Sequence, residues 1–148
     1  MSGPHFRVAE FLVSNTAKAI GDPNTPTPEH LQNLMTVTLP GFELARTILG
    51  NRPIIISSGY RNPRVNRAVG GVDNSDHALG LAGDGWVRGM STLEACRLLA
   101  AADELRFDQL IYEKSRGVFH LGFGRRMRRE VRTQAGGPGS PTRLGLHP

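Results

Sequence analysis

His77 and Asp84 stand seven positions apart in the stretch Ser75-Asp76-His77-Ala78-Leu79-Gly80-Leu81-Ala82-Gly83-Asp84. Imidazole and carboxylate are both good ligands for a divalent cation. The small residues between them, Ala78, Gly80, Ala82 and Gly83, let the backbone turn tightly and pack closely. A third candidate ligand, His120, lies in the short apolar run 118–123. Two imidazoles and one carboxylate leave a fourth position open, which is the ligand count of a catalytic zinc site. Imidazole suits zinc, and no redox role is evident. Zinc held this way lowers the pKa of a bound water to about 7, which makes hydroxide available at neutral pH. Glu113 is the candidate to take that proton and hand it to a leaving amine. Arg61 follows a predicted strand, and its guanidinium can hold a carboxylate or a developing oxyanion.

The segment 108–123 places two of these residues. It reads as two strands, 108–113 and 118–123, joined by Lys114-Ser115-Arg116-Gly117, a loop of ordinary hairpin length. With the turn centred on 115–116, Glu113 faces Val118 and Ile111 faces His120, and opposed residues share a face. Glu113, Val118 and His120 then lie on one side, with Phe119, Leu121 and Phe123 on the apolar side. Glu113 and His120 become diagonal neighbours, roughly 7–8 Å apart at the backbone. Taken singly, each residue also has a structural reading. A lone strand histidine is more often a hydrogen-bonded core residue than a ligand. Glu113 beside a turn is by default solvated, and Arg61 is by default a surface charge.

The elements that must position these residues follow from pattern. Phe6 to Ile20 contains short helical turns, with Ser14-Asn15-Thr16 as a cap. Thr27 caps a helix that has Pro28 at its first position, and Pro40-Gly41 interrupts it before a second helical stretch from Phe42 to Leu49. Ile54-Ile55-Ile56 is a buried strand that delivers Ser57 to Arg61. Residues 63–69 form a short helix and 82–87 a second strand. Ser91 and Glu94 open a helix that runs to Arg106. Cys96, among Leu93, Leu99 and Ala100, reads as a packing residue. Trp86 reads as core, and His5, His30 and His147 as surface or tail residues. The glycines at 70–71 and 80–85 do not follow a strand and open a helix, which rejects a dinucleotide loop.

At 148 residues the chain is long enough for one domain with a single core. A lone cysteine rules out an internal disulfide, and no apolar run approaches the ~20 residues of a membrane span. The N-terminus lacks a basic flank followed by an apolar stretch, so no secretion signal is expected. The net charge of +5 belongs to residues 125–148, which hold six arginines and one acid. Residues 1–124 hold 12 basic and 12 acidic side chains. The basic, Gly/Pro-rich segment 125–148 is expected to be a flexible tail, separate from a folded domain 1–124. Basic charge confined to a tail weakens a nucleic-acid reading. It offers instead a contact for anionic wall polymers or membrane.

The order of these signals resembles a known family. Ser58-Gly59-Tyr60-Arg61, then Asn66 with Val69-Gly70-Gly71, then Ser75-x-His77-x-x-Gly80-x-Ala82-x-Asp84, then a strand bearing His120, is similar to the D-Ala-D-Ala carboxypeptidase family of zinc peptidases. The likeness is to its small single-domain branch, common in phages and prophages, and it covers roughly residues 5–124. It implies an α+β, hedgehog-type fold, with helices on one side of a small, mainly antiparallel sheet and the metal on the open face. It implies zinc at His77, Asp84 and His120, substrate orientation by Arg61 with Tyr60 and Ser75 beside it, and Glu113 as catalytic acid/base. The activity implied is endolysin-like hydrolysis of an amide bond in peptidoglycan stem peptides, as endopeptidase or D,D-carboxypeptidase. The expected protein is a monomer made in the cytoplasm, acting at the bacterial cell wall, with no specific nucleic-acid partner. Glu113 stands seven residues before His120, farther than is usual in the family, and Val118-Phe119-His120-Leu121-Gly122 replaces the usual Trp-Val-His. That departure keeps a non-catalytic, zinc-containing wall-binding module as the alternative.

Overall fold

Strand alternation sorts the chain into a core side and an open side. In the segment 82–87, Gly83, Gly85 and Val87 face one way, and Ala82, Asp84 and Trp86 the other. A Cβ at Gly83 would stand 2.9 Å from both Phe11 and Phe42 rings, so that face is the core. The computed structural model describes residues 3–148. These form helices α1 (Asn15–Ile20), α2 (Pro28–Asn33), α3 (Leu39–Ile48), α4 (Pro63–Ala68) and α5 (Thr92–Ala101). The strands are β1 (Ile54–Ser58), β2 (Ala82–Val87), β3 (Gln109–Glu113), β4 (Val118–Gly122), β5 (Glu130–Gln134) and β6 (Arg143–Leu144). The described strands make one sheet in the order β1-β2-β4-β3-β5-β6, antiparallel except between β3 and β5. This is the α+β architecture the sequence implies.

α3 and α5 cover the core face. Phe42, Ala45 and Leu49 from α3 and Ala95, Cys96 and Leu99 from α5 are buried with Leu110, Phe119 and Leu121 of the sheet. Phe42 is the hub. Its ring centroid lies 5.2 Å from that of Phe11, 5.9 Å from Phe6, 6.2 Å from Phe123 and 6.3 Å from Phe119. Emptying such a position typically costs about 3–5 kcal/mol. Burial pushes the Cys96 thiol up to about 12, which fits packing and not nucleophilic chemistry. The expected caps are present: Thr27 Oγ1 accepts from His30 N and Ser91 Oγ accepts from Glu94 N, each at 3.1 Å.

Three expectations about the fold are corrected. Pro40 does not break its helix. A widened π turn over Leu34–Thr38, closed by Leu39 N–H to Leu34 O, leads directly into α3. Pro40 then sits at the start of α3, immediately after the widened turn. The helix expected to reach Arg106 ends at Ala101. The Arg129 guanidinium binds the carbonyls of Ala100, Ala102 and Leu105 and lies 4.6 Å over the Phe107 ring. Trp86 is 39% exposed, because it shares Asp84's face of β2, which the core helices do not cover.

The largest correction concerns the expected flexible tail. Residues 125–148 are folded into the sheet: β5 pairs with β3 over its full length, and β6 pairs with β5. Asp108 pins the crossing. It accepts from Arg128 N, Nε and Nη2 at 3.0, 2.8 and 3.0 Å, while Glu130 N donates to Asp108 O. The hydrogen bonds from Arg128 hold the Asp108 carboxyl below its usual range. A carboxylate depressed in the folded state adds stability above its unfolded pKa and loses it as pH falls through the folded value. Asp108→Asn is therefore expected to destabilise the fold by about 1–3 kcal/mol at pH 7. The gap from the native protein should narrow as pH drops below about 4, read by urea unfolding at several pH values.

Candidate metal centre

Register assembles the site. Asp84 of β2 lies directly opposite His120 of β4, so the two side chains leave the same face. His77 comes from a single 3₁₀ turn, Asp76–Leu79, whose cap is Ser75: its Oγ accepts from His77 N at 3.2 Å. The turn stops at Gly80, with φ +74, in a conformation that favours glycine. Leu81 N–H closes the turn onto Asp76 O, and the chain enters β2.

The His77 ring is oriented from behind. Nδ1–H donates to Gly59 O at 2.7 Å, which leaves Nε2 facing the cluster as a lone-pair donor. His77 Nε2 is 3.1 Å from Asp84 Oδ1 and 3.2 Å from His120 Nδ1, and His120 Nδ1 is 2.9 Å from Asp84 Oδ1. A tetrahedral zinc with bonds of about 2.0–2.1 Å has ligand–ligand edges of about 3.3 Å. The three observed separations are close to those edges, so the donor set fits zinc in both chemistry and spacing.

Burial sets the electrostatics. His77, Asp84 and Glu113 are all less than a tenth exposed. Burial lowers His77 and outweighs the Asp84 charge beside it. Burial works against the Asp84 carboxylate, yet the two imidazoles hold it well below the usual carboxylate range. Burial opposes the charged form of His120 too, but Asp84, then Glu113 and Asp76, raise it. Burial, and next the charge of Asp84, raise Glu113 against the neighbouring Arg116.

The hairpin register is the one parity gives: Glu113 opposite Val118, Ile111 opposite His120. Arg116 ties Glu113 to the ligand set, with Nη1 2.9 Å from Glu113 Oε1 and 3.7 Å from Asp84 Oδ2. Arg61 lines the same cleft; its N–H bonds to His77 O, and its Nε donates to Asn66 Oδ1 at 3.2 Å. Burial lowers its pKa, opposed by Asp84. Among the described residues no carboxylate lies within ion-pair distance of Arg61. The backbone on either side of it is held by Asn24, which donates to Tyr60 O at 2.9 Å and accepts from Asn62 N at 3.0 Å.

Tyr60 is a correction. It is 1% exposed and does not line the cleft; its hydroxyl meets His30 Nδ1 at 3.0 Å. It is part of the core that supports Arg61, and not a substrate contact. His30 is accordingly half-buried instead of a free surface residue.

Two residues at the site escaped the sequence reading. Arg116 is one; its signal was its three-residue offset from Glu113 across a tight turn. Asp76 is the other, adjacent to His77, with its carboxyl raised by burial. A Cβ placed on Gly122 would lie 2.9 Å from Asp76 Oδ2 and 3.0 Å from His120 Nε2. The bare Cα of Gly122 therefore leaves room for both groups behind the His120 ring.

A sheet carrying a buried His-Asp-His set, a glutamate and two arginines in one open cleft defines a metallopeptidase-like centre. The family model described as Peptidase M15 matches residues 4–122. The chain belongs to the peptidase M15 family. Peptidases of this family are zinc-dependent, in keeping with the ligand set of His77, Asp84 and His120. A comparison with curated proteins finds no match.

The purified protein is expected to bind about one zinc per chain, and His77→Ala none, by elemental analysis. A metal-bound imidazole must be neutral, and, against burial, the His120 pKa is raised above its ordinary value by Asp84. Zinc affinity should therefore fall as pH falls, with proton release measurable by calorimetry in buffers of different ionisation enthalpy. Gly122→Ala should weaken zinc binding about 10–100-fold by crowding Asp76 and His120, read by chelator competition.

Proposed function

We propose that this protein is a zinc-dependent peptidase that hydrolyses an amide bond in peptidoglycan stem peptides, as an endopeptidase or a D,D-carboxypeptidase. The observation that carries the reading is Glu113 meeting Arg116 beside the His77–Asp84–His120 set. All five line one cleft of about 800 Å³ that also holds Arg61. Zinc bound there supplies Lewis acidity and a water acidified to a pKa of about 7. Glu113 accepts the proton of the attacking water and returns it to the leaving amine; its raised pKa suits both halves of that transfer. Arg116 fixes one Glu113 oxygen and leaves the other to work. Arg61, with no carboxylate partner in the cleft, supports binding of an anionic group such as a peptide carboxylate or the oxyanion that forms during attack.

The peptidoglycan substrate is supported by the family and by the resemblance to the small phage and prophage branch. An endolysin-like protein, made in the cytoplasm or carried by a virion and working at the wall as a monomer, is the setting proposed. Exposed Arg125, Arg126 and Arg143 give anionic wall polymers a point of contact.

The test is release of peptide fragments from peptidoglycan, followed by mass spectrometry. Glu113→Gln should lose about 10²–10⁴-fold in turnover while keeping its zinc. A zinc-loaded native protein that cleaves none of several wall types would instead mark a non-catalytic binding module.

A further inference from the structure

The family match ends at residue 122, but the cleft does not. Beyond the metal ligands its floor continues through Ile111 and Glu113 of β3 to Gln134 of β5, which pairs with Glu113 in register. Its far wall is Pro138, Gly139 and Thr142, with Arg126 at the other end. This wall is built. Gln134 Nε2 donates to Ser140 O at 2.9 Å, Arg132 Nη1 donates to Thr142 Oγ1 at 3.3 Å, and Ser115 Oγ donates to Gly136 O at 2.8 Å. Arg126 is exposed, and among the described residues it has no ion-pair partner.

Distance says what such a wall is for. From β4 across β3 to β5 is two strand spacings of about 4.8 Å, and an extended peptide rises about 3.3 Å per residue. The floor past the ligands thus holds about three residues of substrate. Arg61 lies on the opposite side of the ligand set, after β1. A substrate whose C-terminal part reaches Arg61 directs its N-terminal part over β3 and β5.

We propose that residues 126–142 form a subsite that binds the N-terminal side of an extended acidic peptide, making this enzyme selective for longer stem peptides over a free dipeptide. This rests on the peptidase reading above. Arg126 supplies the cation for a substrate carboxylate, and the Pro138–Thr142 loop supplies the surface against which the peptide lies.

The test measures binding to zinc-loaded Glu113→Gln protein, so that turnover does not intervene. Soluble stem peptides of about two to five residues, shortened from the N-terminal end, are titrated by calorimetry. Affinity should rise about tenfold from the shortest to the longest. In Thr142→Trp, which fills the wall, and Arg126→Glu, which reverses its charge, the long-to-short ratio should fall toward one, with circular dichroism confirming the fold. Equal affinity along the ladder overturns this inference, as does a ratio unchanged in both variants, or a gain seen only on C-terminal extension. No binding of any stem peptide overturns the substrate class proposed above, and this subsite with it.

Discussion

Asp84 is a carboxylate with almost no access to water, and that constraint organises the open face of the sheet. An ionised group so buried costs several kcal/mol unless partners replace its hydration. Two imidazoles do so, one from the neighbouring strand and one from a turn that immediately precedes its own. The second is possible only because the chain reverses at Gly80 within a few residues, and the Gly59 carbonyl then holds the His77 ring by its far nitrogen. The His77 ring is thus preorganised by the backbone behind it.

Rigid packing on the other face makes that arrangement durable. Gly83 and Gly85 flank Asp84, and their bare Cα atoms let Phe11, Phe42 and the β1 backbone approach closely. Phe119 and Leu121 bracket His120 and are buried in the same cluster. A one-residue slip in β4 would therefore move Phe119 or Leu121 into the metal cluster and His120 into the core, and one in β2 would replace Asp84 with a glycine and turn its carboxylate into the core. The cost of that exchange is what makes the register, and through it the site, single-valued.

The metal ligands and the Glu113 face were legible because each rests on a local rule: small residues between ligands, parity across a short hairpin, caps at helix starts. What was not legible depended on partners distant in sequence. Tyr60 stands in a stretch that looks like a binding loop, yet its ring is taken by His30 and its backbone by Asn24. Trp86 has the composition of a core residue, but the strand's period assigns it to Asp84's side. Pro40 reads as a break in the sequence because a π turn leaves no mark on hydrophobic spacing. Asp76 and Arg116 were hidden by position: each adjoins a stronger candidate, and only the fold shows where its charge goes.

The C-terminal segment shows the same limit most fully. Six arginines among glycines and prolines read as chain that cannot bury enough apolar surface to fold. The structure satisfies three of them individually instead. Arg128 closes on Asp108, Arg129 collects carbonyls at and beyond the end of α5, and Arg132 pairs with Glu130. Val131 and Leu146 pack against the core, β5 pairs with β3 along its length, and charge-assisted bonds to groups already fixed by the domain add to both. Such a segment gains order from the sheet it joins, and it covers the edge of β3 that would otherwise stand unpaired. Three of the six guanidiniums are committed to internal contacts. Once β5 is in place beside β3, the loop that follows it can only rise at the end of the cleft nearest Glu113. Completing the sheet and walling the site are thus one structural event.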